Sequence, residues 1–372
     1  MLRQRRRQEG YLVSPVKSFD VSSLARWDAA RLLLIKPSSL GDIVHSFPVV
    51  SAIKEQWPRV HLTWVVKRQW AELVERAEGV DRVWPVDMTV SSWVREGVAL
   101  RAQRFDLALD LQGLFRSGLL AWLSGAPTRL GFANGREGSP WFYTNRVPVT
   151  HLNVHAVDRY LSLLGALRVR LPEKPQFRFK LLEEDIATVR TICHRQGFAV
   201  DRPWIAMNIG ARWPTKRWPL TAFAAVLDQL HASQLGPVAV IGSSDERRST
   251  NQLRTLTSSP FVDLCGEIPL KYLPALLSSA SAMVTNDSGP MHIASALGVP
   301  VVALFGPTSA IRTGPYGDGH QILSGPIPCS PCFSRVCRHI PELECLHVIT
   351  PAHVVDAIRL QLTAHAPCQG TS

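Results

Sequence analysis

The sequence predicts an α/β protein with two doubly wound domains that face each other across a cleft. Two observations support this fold class. The chain has 372 residues, which is too long for one ordinary hydrophobic core and suits two. Apolar runs typical of buried strands also alternate with helical patterns in both halves of the chain, and such alternation builds a parallel sheet covered by helices on both faces. Both domains are therefore expected to be Rossmann-like.

The first run of alternating elements begins at Arg31. A continuous apolar run followed by small residues is typical of a buried parallel strand that enters a βα unit. The elements predicted in this half are strands at 32–35, 61–66 and 105–111, with a helix marked by Val49, Ile53 and Trp57 at a spacing of four. We assign residues 31–167 to an N-terminal domain, and residues 1–30 to a basic N-terminal tail.

A second run of alternating elements follows a charged, proline-rich segment, 168–180, which is predicted to be a linker. The elements predicted after it are strands at 204–209, 238–241, 282–285 and 299–305, and helices at 220–231, 270–279 and 289–297. These elements predict a second parallel sheet with helices on both faces. We assign residues 181–350 to a C-terminal domain and residues 351–372 to a final helix and tail.

The charge balance favours an anionic partner. Lys and Arg number 41 against 30 Asp and Glu, for a net charge of +11. The basic residues are spread along the chain without the pattern of a common nucleic-acid module, so a nucleic-acid partner is not expected. The chain also has no signal peptide pattern and no apolar run of about 18 residues, which predicts a cytoplasmic protein that meets a membrane only at its surface. The four arginines within residues 1–10 indicate a solvated tail, with lipid binding as the alternative.

The first segment with candidate chemistry is 36–45, KPSSLGDIVH, directly after the first predicted strand. Ligands of open parallel sheets gather at the carboxyl ends of the strands. Gly41 permits a tight turn or a close approach of a ligand, and Asp42 beside it can accept a proton. The alternative is structural, because Ser39 and Asp42 could simply cap the following helix.

The second segment is 285–292, TNDSGPMH, between an apolar strand and a short helix that ends at Gly298. Asp287 or Ser288 can cap that helix and Pro290 fits its first turn, so free backbone N–H groups there could bind a diphosphate. Capping alone would explain the same residues. His292 could face either a ligand or the core.

The third segment is 208–219, NIGARWPTKRWP, after the first strand of the second half. Lys216 and the neighbouring arginines lie beside small residues and could clamp a phosphate, because lysine offers a compact positive charge to a leaving anion. The two tryptophans could instead serve packing. Taken singly, the segment could also be ordinary solvated surface.

Together these segments closely resemble the ADP-heptose:lipopolysaccharide heptosyltransferases, glycosyltransferase family 9, over roughly residues 31–360. The first segment is closer to heptosyltransferase I than to heptosyltransferase II. The matching motifs, in order, are KPSSLGD at 36–42, DLQGLFRS at 110–117, GF at 131–132, Arg136-Glu137, Tyr143, KRWP at 216–219, NDSG at 286–289 with His292, and GPT at 306–308.

The resemblance implies a GT-B fold and an inverting transfer of heptose from an ADP-heptose donor, without a cofactor or a required metal. It implies that Asp42 is the general base. The implied donor-binding residues are Gly210, Ala211, Lys216, Glu246, Asp287, Ser288, Gly289 and His292. Hydroxyl residues are common in the family where Gly210 and Ala211 stand, so backbone N–H groups would make the phosphate contacts there.

The acceptor implied by the resemblance is an anionic lipid A carrying Kdo sugars, which agrees with the positive net charge. The implied acceptor-binding residues are Ser39, Gly41, Arg116 and Arg136. Such an acceptor implies peripheral contact with the inner face of the inner membrane. Two other functions remain open: transfer of another nucleotide sugar or to a surface polysaccharide, and nucleotide binding without catalysis.

Seven cysteines are present, and five of them fall in the last 44 positions. Cys329, Cys332, Cys337 and Cys345 could ligate zinc, because four thiolates at short spacings can close a tetrahedral site. The spacing is irregular and lacks a second Cys-x2-Cys pair, which favours free thiols in a loop. A disulfide framework is not expected in a cytosolic chain of this size.

Overall fold

A computed structural model describes residues 28–87, 89–149, 151 and 153–364 of the chain. These residues form two compact units that divide between Lys180 and Leu181. The arginine-rich residues 1–10 and Cys368 lie outside the described residues. Among those described, no helix combines the length and the apolar composition that crossing a membrane requires.

The first unit contains a six-stranded parallel sheet with the strand order β3-β2-β1-β4-β5-β6. Its strands are β1 (Arg31–Ile35), β2 (His61–Lys67), β3 (Arg82–Val86), β4 (Leu107–Asp110), β5 (Thr128–Phe132) and β6 (Asn145–Val147). Its helices are α1 (Leu40–Val44), α2 (Phe47–Gln56), α3 (Ala71–Val74), α4 (Val90–Arg101), α5 (Phe115–Leu123) and α6 (Ala156–Gly165). The central strands are continuously apolar because helices cover both faces of the sheet.

The second unit contains another six-stranded parallel sheet, with the order β12-β11-β10-β7-β8-β9. Its strands are β7 (Ile205–Asn208), β8 (Val238–Val240), β9 (Val262–Asp263), β10 (Ala282–Asn286), β11 (Val301–Phe305) and β12 (Gln321–Ser324). Its helices are α7 (Glu183–Arg195), α8 (Leu220–Ala232), α9 (Arg247–Leu256), α10 (Leu273–Leu277), α11 (Gly289–Ala296), α12 (Ala310–Thr313), α13 (Glu344–His347) and α14 (Pro351–Ala364). Trp218, Phe223 and Leu346 are among the buried side chains of its core.

These two sheets confirm the predicted α/β class, and each strand predicted from an apolar run is present. The predicted helix at 270–279 differs, because a 3-10 turn at Leu270–Tyr272 precedes α10. Strands β3, β5, β6, β9 and β12 were not predicted from the sequence. Each carries half-buried or exposed side chains, so it lacks the continuous apolar run that marks a central strand.

Both sheets have the same topology. Written in reverse, the strand order of the second sheet is β9-β8-β7-β10-β11-β12, which repeats the order of the first. In each unit the chain order reverses between two central neighbours, β1 and β4 in the first sheet and β7 and β10 in the second. Ligands of open α/β sheets bind at the carboxyl ends of the strands beside such a reversal. The loops after these four strands are therefore where functional residues are expected, and they include all three segments selected from the sequence.

Candidate active site

Asp42 lies in the first turn of α1, after the carboxyl end of β1. One carboxylate oxygen, Oδ2, accepts hydrogen bonds from the Ser39 backbone N–H at 3.1 Å and the Ser39 hydroxyl at 2.8 Å. The other oxygen, Oδ1, accepts a hydrogen bond from the Tyr160 hydroxyl at 2.7 Å. Helix capping thus explains the contacts of one oxygen only. The side chain remains 34% exposed, so a ligand can reach it.

Lys36 lies behind Asp42, at the end of β1, and only 3% of its side chain is exposed. Its ammonium donates to the Tyr160 hydroxyl at 2.8 Å and lies 3.8 Å from Asp42 Oδ1. It also lies 4.6 Å from the centroid of the Tyr160 ring. Lys36, Tyr160 and Asp42 therefore form one connected group of polar side chains.

The electrostatics of this group keep Asp42 ionised. Burial acts to raise the pKa of the Asp42 carboxyl, but the charge of Lys36 and the hydrogen bonds from Tyr160 and Ser39 hold that pKa below its ordinary value. Burial lowers the pKa of Lys36, and the carboxylates of Asp42 and Asp110 oppose that shift. The same burial, with the Asp42 carboxylate beside it, raises the pKa of Tyr160 well above its usual range. At neutral pH the hydroxyl therefore stays protonated and donates to an ionised Asp42.

Asp110, at the end of β4, fixes the turn on the other side of the strand-order reversal. Its fully buried carboxylate accepts from the backbone N–H groups of Gln112 at 2.8 Å and Gly113 at 3.1 Å, and from the Tyr143 hydroxyl at 2.6 Å. Burial raises the pKa of this carboxyl despite those hydrogen bonds. Gly113 has a φ of 66°, a left-handed conformation that favours glycine.

This turn positions the two arginines predicted to bind the acceptor. Arg116 lies in the first turn of α5, and the backbone N–H of Arg136 donates to the Gly113 carbonyl at 2.8 Å. Both side chains are exposed. Ser39 and Gly41 belong to the neighbouring segment that holds Asp42, although Gly41 itself is buried.

In the second unit, two buried amide side chains hold the loops after β7 and β10. The Asn286 amide donates to the Ile209 carbonyl at 2.8 Å, and its oxygen accepts from the Trp218 backbone N–H at 3.0 Å. The Asn208 amide donates to the Ile241 carbonyl at 3.0 Å. These contacts join the carboxyl ends of three strands, so the predicted donor-binding segments are held at one edge of the sheet.

Lys216 and Asp287 form an ion pair across these loops, with Lys216 Nζ 2.6 Å from Asp287 Oδ2. The Thr308 hydroxyl donates to the same oxygen at 2.6 Å. Lys216 Nζ also lies 4.8 Å from the centroid of the Trp213 ring. Only 5% of the Asp287 side chain and 18% of the Lys216 side chain are exposed. The contacts of Asp287 thus fix the position of the lysine charge.

Helix α11 begins beside this pair. Ser288 is its N-cap residue, but the Ser288 side chain makes no capping hydrogen bond and instead lies 2.8 Å from Asn208 Oδ1 and 3.0 Å from the Thr285 hydroxyl. The first backbone N–H groups of the helix, including that of Gly289, therefore have no side-chain cap. His292 lies in the same turn and is buried.

Glu246 lies between the carboxyl ends of β7 and β8. Its Oε2 accepts from the Ser243 backbone N–H at 2.7 Å. A Cβ atom built on Gly210 would lie 1.2 Å from Glu246 Oε1, and one built on Gly242 would lie 2.1 Å from Oε2. Two glycines thus provide the space for this carboxylate, and burial raises its pKa. Ala211, which follows Gly210, is also buried.

The cysteines Cys329, Cys332, Cys337 and Cys345 line one small cavity together with His339 and Glu344. Cys345 is buried, and its burial together with the three other thiols raises its pKa. Throughout the described part of the chain, no three His, Cys, Asp or Glu side chains are grouped so that they could hold a metal ion. The cavity therefore brings the thiols together without a ready-made ligand geometry.

Sequence reasoning missed Tyr160 and the role of Asp110. Asp110 could have been selected from the sequence, because it lies at the end of an apolar strand. It is also the first residue of the DLQGLFRS motif at 110–117. Tyr160 carried none, because it lies 118 residues from Asp42 in an ordinary amphipathic helix. Only the fold brings the two together.

Comparison with known proteins finds similarity to heptosyltransferases over most of the chain. The family model for glycosyltransferase family 9 (heptosyltransferase) matches residues 93–341. Lipopolysaccharide heptosyltransferase 1 of Pseudomonas aeruginosa is 29% identical over 329 residues, which cover 84% of this chain and 89% of that protein.

Solved structures agree with the observed architecture. The structure of E. coli ADP-heptose lps heptosyltransferase II has a TM-score of 0.74 at 25% identity, covering 90% of this chain and 99% of that one. A glycosyltransferase of family 9 from Veillonella parvula has a TM-score of 0.77 at 24% identity, covering 91% of this chain and 98% of that chain, and supports the fold alone. The family model covers well over half of the sequence. The chain therefore belongs to glycosyltransferase family 9 (heptosyltransferase).

Proposed function

We propose that this chain transfers heptose from ADP-heptose to the Kdo region of the lipopolysaccharide inner core, with inversion and with Asp42 as the general base. The observation that carries the proposal is the environment of the Asp42 carboxylate, which is ionised, held on both oxygens and still 34% exposed. The names of the relatives support the donor and the acceptor class, since they include a lipopolysaccharide heptosyltransferase and an ADP-heptose lps heptosyltransferase.

The proposed reaction is a single displacement. An acceptor hydroxyl gives its proton to Asp42 while its oxygen attacks the anomeric carbon of the heptose. The bond from that carbon to the ADP oxygen breaks on the opposite face, and ADP leaves with the electron pair. The new bond therefore has the inverted configuration.

The donor would bind to the second unit. The uncapped N-terminus of α11 at Ser288 and Gly289 suits a diphosphate, because helix N-termini bind anions. Lys216, held by Asp287, would add a positive charge as ADP leaves. Backbone N–H groups of Gly210 and Ala211, and the side chain of His292, would complete the phosphate contacts. Glu246 would accept hydrogen bonds from the ribose hydroxyls.

These groups would offset the diphosphate charge without a metal ion, so we propose a metal-independent transfer. If the cysteine cavity instead held a metal ion needed for transfer, removal of that ion would lower the rate. Treatment with EDTA followed by gel filtration should leave the rate of ADP release unchanged. A rate that falls and returns with added zinc or iron would contradict metal independence.

The acceptor would bind to the first unit, through Arg116, Arg136 and the segment of Ser39 and Gly41. Both arginines are exposed, and guanidinium groups bind carboxylates and phosphates in a bidentate manner. A lipid-anchored anionic acceptor would bring the enzyme to the cytoplasmic face of the inner membrane. The net charge of +11 favours that approach.

The direct test incubates the protein with ADP-heptose and a Kdo-lipid A acceptor and measures the release of ADP. We expect acceptor-dependent release, with a fall of about 10²–10⁴-fold in kcat for Asp42→Asn, since a general base contributes about that much. The variant should bind ADP as the wild type does, because Asp42 lies in the first unit. Release from another nucleotide sugar in preference to ADP-heptose would contradict the proposed donor, and full activity of Asp42→Asn would contradict the mechanism.

A further inference from the structure

We infer that Tyr160 is a positioning residue that holds Asp42 Oδ1, the oxygen that takes the proton of the acceptor hydroxyl, and that Lys36 sets the direction of the Tyr160 hydroxyl. This inference rests on the proposed role of Asp42 as the base. It goes beyond that role by assigning functions to Tyr160 and Lys36 and by identifying Oδ1 as the reacting oxygen of Asp42.

The two oxygens of the Asp42 carboxylate differ in the number of hydrogen bonds that they accept. A carboxylate oxygen has two lone pairs directed in the carboxylate plane. Oδ2 already accepts two hydrogen bonds, from the Ser39 N–H and the Ser39 hydroxyl. Oδ1 accepts one, from Tyr160. The remaining acceptor position of the carboxylate is therefore on Oδ1.

Lys36 determines the direction of the Tyr160 O–H bond. A lysine ammonium can only donate, so Lys36 Nζ, at 2.8 Å, must use a lone pair of the phenol oxygen. The phenol hydrogen then points to Asp42 Oδ1, which lies at 2.7 Å. Tyr160 and Lys36 are 6% and 3% exposed, so water does not compete freely for either group. The lysine thus makes the tyrosine a donor to Asp42.

The hydrogen bond from Tyr160 affects both the position and the ionisation of Asp42. The hydrogen bond fixes Oδ1 in place and favours the ionised carboxylate, which must be ready to accept a proton. Other charged groups act around the same three residues. Asp110 and Arg136 act on Lys36, and Arg159, next to Tyr160 on α6, acts on both Lys36 and Tyr160. Lys36, Tyr160 and Ser39 act on Asp42 itself and lower its pKa.

The experiment compares the titration of Asp42 in the full chain of the wild type, Tyr160→Phe and Lys36→Met. Carbon-13 NMR of aspartate carboxyls follows each titration, and Asp42→Asn assigns the signal. Because Asp42 is more acidic than usual in the wild type, loss of a stabilising donor should move its midpoint to higher pH. We expect a rise of about one to two pH units in each variant, the equivalent of one hydrogen bond to a charged group.

Tyr143→Phe is the matched control. Tyr143 also donates to a buried carboxylate of the first unit, but that carboxylate is Asp110. Its removal should leave the Asp42 midpoint at the wild-type value. The double variant with Tyr160→Phe and Lys36→Met should shift Asp42 less than the sum of the single shifts, because lysine acts partly through the phenol.

Activity provides the second measurement. The acid limb of kcat/KM for ADP release should move to higher pH by the same amount in Tyr160→Phe, with the KM for ADP-heptose unchanged. An Asp42 midpoint that stays at the wild-type value in both Tyr160→Phe and Lys36→Met overturns the inference. If Tyr160→Phe does not fold, Lys36→Met alone decides in the same way. A wild type that releases no ADP from ADP-heptose instead contradicts the proposed function, while the NMR titration still decides the role of Tyr160.

Discussion

At the residue scale, the ion pair of Lys216 and Asp287 shows how the position of a positive charge is fixed by its neighbours. The pair is largely buried, and Asp287 also accepts from Thr308. Removing one member of such a pair leaves an uncompensated charge, whereas removing both does not. Stability and ligand binding can therefore be separated by comparing single and double variants.

We predict that Lys216→Met lowers the free energy of unfolding by about 3 kcal/mol, because Asp287 is left buried without its cation. The double variant Lys216→Met with Asp287→Asn should recover most of that stability. It should not recover ADP affinity, which we expect to be at least about tenfold weaker in both, as for the loss of one charged contact. Urea unfolding and titration calorimetry measure the two effects. If the double variant bound ADP as tightly as the wild type, Lys216 would not be a donor-binding residue.

Gly210 and Glu246 give a second test at this scale. Because a Cβ at 210 would lie 1.2 Å from Glu246 Oε1, Gly210→Ala must displace the carboxylate. If Glu246 holds the ribose, Gly210→Ala and Glu246→Ala should each weaken ADP binding by about tenfold, and the double variant should be no weaker than either. Calorimetric titration with ADP checks this. Equal and additive losses would mean that the two residues act independently.

At the scale of elements, Asn286 ties the end of β10 to the loop after β7. It is fully buried, and its removal leaves the Trp218 N–H and the Ile209 carbonyl without their partner. We predict that Asn286→Ala destabilises the protein by about 2–4 kcal/mol, from two unpaired buried groups. Asn251→Ala, on the exposed side of α9, is the control and should change stability by no more than about 0.5 kcal/mol. A similar stability of the two variants in urea would contradict the role of Asn286.

The sequence alone predicts the buried strands at the centre of each sheet and misses strands whose side chains are partly exposed. Strand β1 is recognisable because four of its five residues are fully or almost fully buried and apolar. Strand β12 is not, because its side chains are mostly exposed. The same difference applies to the site. Asp42 and Lys216 follow recognisable strands, whereas Tyr160 lies within a helix and joins the site only through tertiary contact.

At the scale of the whole molecule, the sequence predicts two α/β units but not the order of strands within their sheets. That order depends on pairings between distant residues, such as Ile35 with Val65 on one side and with Asp110 on the other. No local pattern encodes these pairings. The order matters for function, because it places the loops after β1 and β4, and those after β7 and β10, side by side.

The proposed division of labour follows from the residues that lie at the strand-order reversal of each unit. Asp42, the proposed base, and the exposed arginines lie at the reversal of the first unit, and the uncapped helix N-terminus with Lys216 lies at that of the second. The first set suits an anionic acceptor with a hydroxyl to be deprotonated, and the second suits a diphosphate. All residues of the first set belong to the first unit, and all residues of the second set belong to the second unit.

The most direct test of this account is mass spectrometry of lipopolysaccharide from a strain that lacks the gene for this chain. We predict a core truncated at Kdo, without heptose, that the wild-type gene restores and the Asp42→Asn gene does not. The same protein level for both genes, checked by immunoblot, excludes a folding defect. A core that keeps its heptose in the deletion strain, or full restoration by Asp42→Asn, would contradict the account.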